Sequence, residues 1–511
     1  MSALRILPPN GLATLSALTA LLSPLPPGPK GLFLIGNIFD VPRQSPWLTF
    51  REWGRKWGDI TSITVFGQTM IILNSVKVAE DLLDLKGANF SVRPVIQMGG
   101  EMVGFRDTIS LKQDGNPLRQ ERRLFHQLFG SNKAVERFIA KLLQFLLQNP
   151  GQLKTEQPRT TGAIVLRIAF GYEVKEGKDE FIEMFDTRNA IFSRSTHPTA
   201  FLVNLLPILR YWPEWLPGGG FRTLAKKWAK DLQVTLDAPL EYVKQEMAAG
   251  TAERSFTSTL LEERTGQDEL ITWAASAVQA GGSSTTATQL ESFFLAMTLY
   301  PEVQAEAQEE IDRVVGNGRL PDISDRANMP YMTAFCRELL RWHTVVPTGI
   351  PHRTREDYIY ERDGHPAYLI PKGALVFPNL WFALSLFRHM SHDPDVYPDP
   401  MTFNPNRFIE TDTKKSEQDP ARICFGYGRR VCPGKLLADA SLFLVCSMVL
   451  SVFNIRKASK DGVDIEPVLG QTTGTVSQPL PFGCTLEARS EHAIALIQGS
   501  SGHGAESGLT G

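Results

Sequence analysis

The stretch Phe425-Gly-Tyr-Gly-Arg-Arg-Val-Cys432-Pro-Gly434, followed by the apolar run from Lys435 to Val452, decides how this chain is read. Gly426 and Gly428 permit backbone with positive φ, so the loop can turn tightly before the cysteine. Pro433 suits a first helical position, because its φ is preset and its missing N–H would have had no partner there. Cys432 is therefore expected at a helix N-terminus, where the dipole and free N–H groups favour the thiolate, the form of cysteine that ligates metal. The chain holds five cysteines, an odd number, and Cys336, Cys424, Cys446 and Cys484 make no C-x-x-C pair with one another or with Cys432. This excludes a disulfide framework and a zinc ribbon and implies a reducing compartment. Most cysteines at a helix start are buried packing residues. The two glycines, two arginines and Phe425 around this one argue for chemistry.

With no second cysteine or histidine at zinc spacing, a single thiolate suits an axial ligand to haem iron, where it pushes electron density toward cleavage of dioxygen. The pattern F-x-x-G-x-R-x-C-x-G is met at Phe425, Gly428, Arg430, Cys432 and Gly434, and through it the chain resembles the cytochrome P450 family of haem-thiolate monooxygenases. The resemblance implies haem b with Cys432 as iron ligand and Arg430 on a haem propionate. Phe425 would pack near the sulfur, and Gly428 and Gly434 would shape the cofactor loop. It implies a mainly α fold with small β-sheets, the haem lying between a long central helix and the cysteine-loop helix.

The family also carries Glu-x-x-Arg on a helix, in physical terms an i,i+3 ion pair. The pattern occurs here at Glu52/Arg55, Glu156/Arg159, Glu310/Arg313 and Glu338/Arg341. Only the last lies in an apolar helical segment and is followed by Phe403-Asn-Pro-Asn-Arg407-Phe408. The resemblance makes Glu338, Arg341 and Arg407 a buried structural triad, and the other three pairs read as solvated surface pairs. His352, in Ile350-Pro-His-Arg353, and Arg122, in Leu118-Arg-Gln-Glu-Arg122, fall where the family contacts haem propionates. Leu118 stands where the family has a tryptophan, which removes one hydrogen-bond donor.

Helical periodicity extends from Asp268 to Tyr300 and ends at Pro301, giving a helix long enough to cross a domain. It carries Ala280-Gly-Gly-Ser-Ser284-Thr285-Thr286, resembling the family's oxygen-activation motif. The resemblance implies that the glycines bring the helix close to the haem and open a kink, and that the Thr285 hydroxyl steers protons to iron-bound dioxygen. Ser284 occupies the acidic position of the motif, so water chains would have to replace the usual carboxylate. A second departure follows Trp381, where residues 382–388 (FALSLFR) intervene before His389, either as an inserted loop or as retained non-coding sequence.

The 511 residues give 53 Lys+Arg against 55 Asp+Glu, so no global field attracts nucleic acid. Residues 12–22 (LATLSALTALL) are too short to span a bilayer, and Pro26-Pro-Gly-Pro29 follows as a stiff hinge. The expected organisation is a weak anchor remnant and hinge over 1–30, one catalytic domain over 31–498, and a disordered tail over 499–511. Elsewhere, strands are expected at Ile60–Val65 and Met70–Leu73, and helices at Val76–Leu85, Leu118–Phe129, Gly162–Phe170 and Leu236–Ala249. The resemblance implies a monooxygenase that inserts one oxygen atom from dioxygen into a small apolar secondary metabolite or xenobiotic, at the cytosolic face of the endoplasmic reticulum membrane. No G-x-G-x-x-G opens a βαβ unit, so electrons are expected from a separate NADPH-dependent reductase, docking near Arg429 and Lys435. Tyr211, Trp212 and Trp215 suit a peripheral membrane contact. The rival readings are a reductase-independent haem-thiolate isomerase or dehydratase and a non-catalytic haem binder.

Overall fold

The computed structural model describes residues 23–125, 162–163, 165–175, 177–197, 200–362, 365–381 and 397–499. The expected anchor at 12–22, the 382–388 insertion, the Glu156/Arg159 pair and the tail beyond 499 lie outside the described residues. Helices of eight residues or more are α1 Pro46–Trp57, α2 Asn116–Phe125, α3 Glu180–Thr196, α4 Gly220–Ala249, α5 Phe256–Glu263, α6 Asp268–Leu299, α7 Pro301–Val314, α8 Pro330–Trp342, α9 Lys435–Val452 and α10 Glu491–Gly499. The fold is mainly helical with small sheets, as the resemblance implied.

Strands β1 Ile60–Val65 and β2 Gln68–Leu73 form the expected hairpin, with Val65 opposite Gln68 around Phe66-Gly67. With β3 His352–Arg353 and β4 Leu375–Pro378, the four-stranded sheet runs β1-β2-β4-β3. Strand β4 lies parallel to β2, pairing Met70 with Leu375, and antiparallel to β3. A further bridge joins Arg353 to Val92, so the chain at 90–93 lies beside His352.

Long helix α6 has 32 residues, roughly 48 Å of axis. Its N-terminal half packs Ile271, Ala274, Ala275 and Val278 into one apolar cluster with α2, α3 and α5. Its C-terminal half packs Leu290 and Phe293–Met297 into another with α7, α8 and α9. Between these buried halves, Ala280 and Gly281 are exposed. Helix α9 mirrors this pattern. Its stretch from Leu442 to Leu450 is buried, whereas residues 435–441 are only partly covered. By length and composition α9 could cross a membrane, yet its apolar residues are spent on the core.

Two elements differ from the sequence expectation. Residues 76–85 begin as α-helix and continue from Glu80 to Leu85 as π-helix. Helix α4 starts at Gly220, sixteen residues before the periodicity suggested, and passes through Pro239. Its buried Ala225, Trp228 and Leu232 supply the packing that the pattern-based reading missed.

Candidate active site

The loop before α9 is shaped by contact with residues 83–84. Gly426 and Gly428 take φ of 77° and 54°, and a Cβ on Gly428 would lie 2.2 Å from the Leu83 carbonyl oxygen. Only glycine fits there, and its N–H donates to the Asp84 carboxylate. The loop closes where the Cys432 N–H donates to the Phe425 carbonyl at 2.8 Å. Helix α9 begins at Lys435, not at Pro433, because Cys432 to Lys435 form a turn in which the Lys435 N–H reaches the Cys432 carbonyl at 3.4 Å. The thiol thus precedes the helix instead of sitting within its first turn. Burial pushes the Cys432 thiol up, opposed by the Gly434 N–H and by the Arg122 and Lys435 charges. Yet Cys432 is also exposed. Phe425, beside it, is half-buried under the Lys435 ammonium, 5.7 Å from the ring centre.

Three guanidiniums and an imidazole gather nearby. Arg430 Nε donates to the Ser91 carbonyl at 2.8 Å, while its buried Nη1 and Nη2 have no partner. Arg93 Nη1 donates to the carbonyls of Ile350 at 2.6 Å and Pro351 at 2.8 Å, and its buried Nε is unpartnered. Arg122 Nη2 donates to the Val431 carbonyl at 2.8 Å, next to Cys432. His352 Nδ1 donates to the Phe90 carbonyl at 2.7 Å. Burial, reinforced by Arg93, holds the imidazole well below its usual pKa, so it is neutral. Burial likewise brings Arg430 down to about 10, opposed by the Asp114 charge and reinforced by Arg122, and holds Arg93 well below its ordinary value, reinforced by Arg430 and Arg122. Among the described residues no carboxylate pairs with Arg93, Arg122 or Arg430. Buried guanidinium groups left without acceptors cost several kcal/mol. The cluster is therefore built for an anion, and the two propionates of a haem whose iron meets Cys432 fit it. Leu118, at the tryptophan position, is buried and brings no donor. Arg93 was not singled out from the sequence. Its partners lie at 350–351 and its charged neighbour at 430, and only Pro94 after it hinted at a fixed backbone.

On α6, the helix continues without interruption through Gly281-Gly282. The glycines divide the work. A Cβ on Gly282 would meet Val165 at 3.1 Å, whereas one on Gly281 would meet nothing within 4 Å. Thr285 Oγ1 donates to the Gly281 carbonyl at 2.5 Å, and Ser284 is half-buried, with its own carbonyl accepting from Thr288.

Glu338, Arg341 and Arg407 come together, all essentially without solvent exposure. Arg341 grips both Glu338 oxygens at 2.6 and 2.7 Å, and Arg407 Nε adds a third bond at 3.1 Å. The arginines then bind backbone carbonyls of Pro398, Pro400 and Thr402, and Asn404 N–H donates to Glu338 at 2.7 Å. The triad thereby fixes the loop at 398–407 that leads into the cysteine loop. Glu52/Arg55 is a surface pair, but Glu310 is not. It is buried and accepts the Tyr331 and Met332 N–H groups at the start of α8, with Arg313 a distant 3.6 Å away. The amides of another helix, not its i+3 arginine, set its position.

The other expected positions are partly engaged. Lys435 Nζ donates to the Ala421 carbonyl at 2.8 Å, and Arg429 shares Asp114 with Arg355. Arg119 and Arg123 on α2 are exposed and make no ion pair among the described residues. Segments 99–105 and 201–206 both pack against α3 and α4 in one apolar cluster, and Ser477 bonds Val345.

The family model for cytochrome P450 matches residues 26–485. Cytochrome P450 monooxygenase 208 of Postia placenta is 48% identical over 483 residues, covering 93% of this chain and 92% of the relative. Cytochrome P450 monooxygenase claR of Ampulloclitocybe clavipes is 42% identical over 485 residues, with 93% and 88% covered. Cytochrome P450 monooxygenase ppsD of Aspergillus oryzae is 36% identical over 493 residues, with 93% and 90% covered.

Proposed function

This chain belongs to the cytochrome P450 family of monooxygenases, whose cofactor is haem b with a cysteine thiolate ligand, and from that premise we propose that Cys432 is that ligand. Bound there, the haem supplies dioxygen binding and reductive activation for insertion of one oxygen atom into substrate. The observation that carries the assignment is the pairing of an exposed yet desolvated Cys432 with the unpartnered Arg430 and Arg93 groups. Arg430, Arg93, Arg122 and His352 hold the propionates, and Arg93 adds a donor where Leu118 removed one. Arg122, bonded to the Val431 carbonyl, also fixes the residue before the thiolate and lowers the thiol pKa by its charge. Thr285 and Ser284 carry hydroxyls within one turn of exposed Gly281 on α6, where they would hand protons to water. Glu338, Arg341 and Arg407 hold the chain ahead of the cysteine loop.

The substrate is a small, mainly apolar secondary metabolite or xenobiotic, supported by the apolar cluster around residues 99–105 and 201–206. Electrons come from an NADPH-dependent reductase that docks on the exposed cations Arg119, Arg123 and Arg429. Residues 31–498 form one catalytic domain, carried at the cytosolic face of the endoplasmic reticulum by peripheral contact through Tyr211, Trp212 and Trp215.

The deciding measurement is the carbon monoxide difference spectrum of the reduced, haem-loaded protein. Wild type is expected to give the red-shifted band of a thiolate-bound haem, and Cys432→Ala to lose it while remaining folded by circular dichroism. A thiolate band that survives in Cys432→Ala would falsify the assignment.

A further inference from the structure

Arg188 of α3 is only 3% exposed. Its Nη1 donates to Ser276 Oγ at 2.7 Å, and its Nη2 donates to Gln279 Oε1 at 2.6 Å and to Asn189 Oδ1 at 3.2 Å. The guanidinium also lies 5.0 Å from the centre of the Phe185 ring. Every one of these partners is neutral, and among the described residues no carboxylate pairs with it. Burial brings its pKa only to about 10, so the group is cationic at neutral pH. A buried charge without a counter-ion costs several kcal/mol. A strut between α3 and α6 needs only hydrogen bonds, which an amide would give without that cost.

The place of this charge matters. Ser276 lies one turn before Ala280 on the same face of α6, and Ala280 and Gly281 are the exposed residues between its two buried halves. One turn along α3 from Arg188, Phe192 meets Phe105 edge to face at 5.1 Å. Phe105 and Phe192 thus stand one turn of α3 from a buried cation that bonds α6 one turn before its open stretch. On the haem-thiolate reading given above, we propose that Arg188 determines substrate specificity. The chamber takes an amphipathic organic acid whose carboxylate pairs with Arg188 while its apolar body lies against Phe105 and Phe192. A carboxylate on a guanidinium forms charge-assisted hydrogen bonds, stronger than those to the neutral partners now present.

Binding is tested by titrating decanoic acid and decan-1-ol into the haem-loaded protein, followed by the Soret shift and independently by calorimetry. Wild type is expected to bind the acid about ten-fold more tightly than the alcohol, roughly the worth of one charge-assisted contact. Arg188→Gln is expected to erase that preference while leaving alcohol affinity within about two-fold, and Arg188→Lys to keep most of it. Equal loss of both ligands in Arg188→Gln, or no acid preference in wild type, overturns the proposal. The wild-type comparison alone decides the matter if Arg188→Gln fails to load haem. A missing thiolate band in wild type counts against the haem reading; a normal band without acid preference counts only against Arg188.

Discussion

His343 follows α8, is 4% exposed, and donates from Nε2 to the Ser477 carbonyl at 2.8 Å. Burial brings its pKa from 6.5 down to about 4. The unfolded chain therefore takes up a proton near pH 6.5 that the folded chain refuses until about pH 4. The stability tied to this group is complete above pH 6.5 and is lost as pH falls toward 4, amounting to at most about 3 kcal/mol. Denaturant midpoints measured between about pH 7.5 and 4.5 should fall more steeply in wild type than in His343→Gln; equal slopes would reject this. Single residues were legible where the chain itself carries their surroundings. Cys432 sits among glycines and arginines within ten residues, so its chemistry could be read directly. Arg93 and Arg188 could not be, because the groups that strand their charges lie on other elements, at 350–351 and 430 for one and at 276–279 for the other.

Among elements, the Glu-x-x-Arg pairs show how far a local pattern reaches. Glu310/Arg313 and Glu338/Arg341 both lie on helices, and both glutamates are buried, but α8 presents its pair to the loop at 398–407 whereas α7 presents Glu310 to the start of α8. Removing the Glu338 carboxylate strands buried Arg341 and leaves Arg407 with Glu417 alone, so Glu338→Ala is expected to destabilise the haem-loaded protein by about 3–5 kcal/mol. Glu52→Ala, which breaks an exposed pair, should cost less than about 1 kcal/mol. Equilibrium denaturation of the two variants checks this, and similar losses would reject the triad as a buried anchor. Helix α6 was readable to within a residue at both ends, because helical periodicity runs unbroken up to Pro301, whereas α9 starts two residues after the Pro433 expected to open it. The early start of α4 escaped notice because the residues that hold its first half, Ala225, Trp228 and Leu232, belong to a cluster with α3 and residues 98–111.

Across the whole molecule, apolar surface gathers in three described segments, one of them at 463–469, where Val463, Ile465, Val468 and Leu469 are exposed. Leu32, Phe33, Leu34 and Phe39 stand exposed just after the proline hinge, and Ile208, Tyr211 and Trp215 stand exposed between α3 and α4, Trp215 at 82%. Arg210 lies 4.6 Å from the Tyr211 ring centre, the mixture of cation and aromatic ring that suits a lipid interface. Cosedimentation with vesicles of phosphatidylcholine and phosphatidylserine should weaken several-fold in Ile208→Ser/Trp215→Ser and in Phe33→Ser/Leu34→Ser. Unchanged cosedimentation in both variants would reject peripheral contact. The sequence alone determined the haem-thiolate class and the helical fold and pointed to Cys432 as the proposed ligand, because a thiolate loop needs glycines, a cation and a helix start in fixed order along the chain. Tertiary structure alone decided which charges are left uncompensated, since a buried cation is defined by what neighbouring elements fail to supply. That is why the anion-binding cluster of Arg93, Arg122 and Arg430, and the lone cation of Arg188 beside the open stretch of α6, emerged only when elements hundreds of residues apart were packed together.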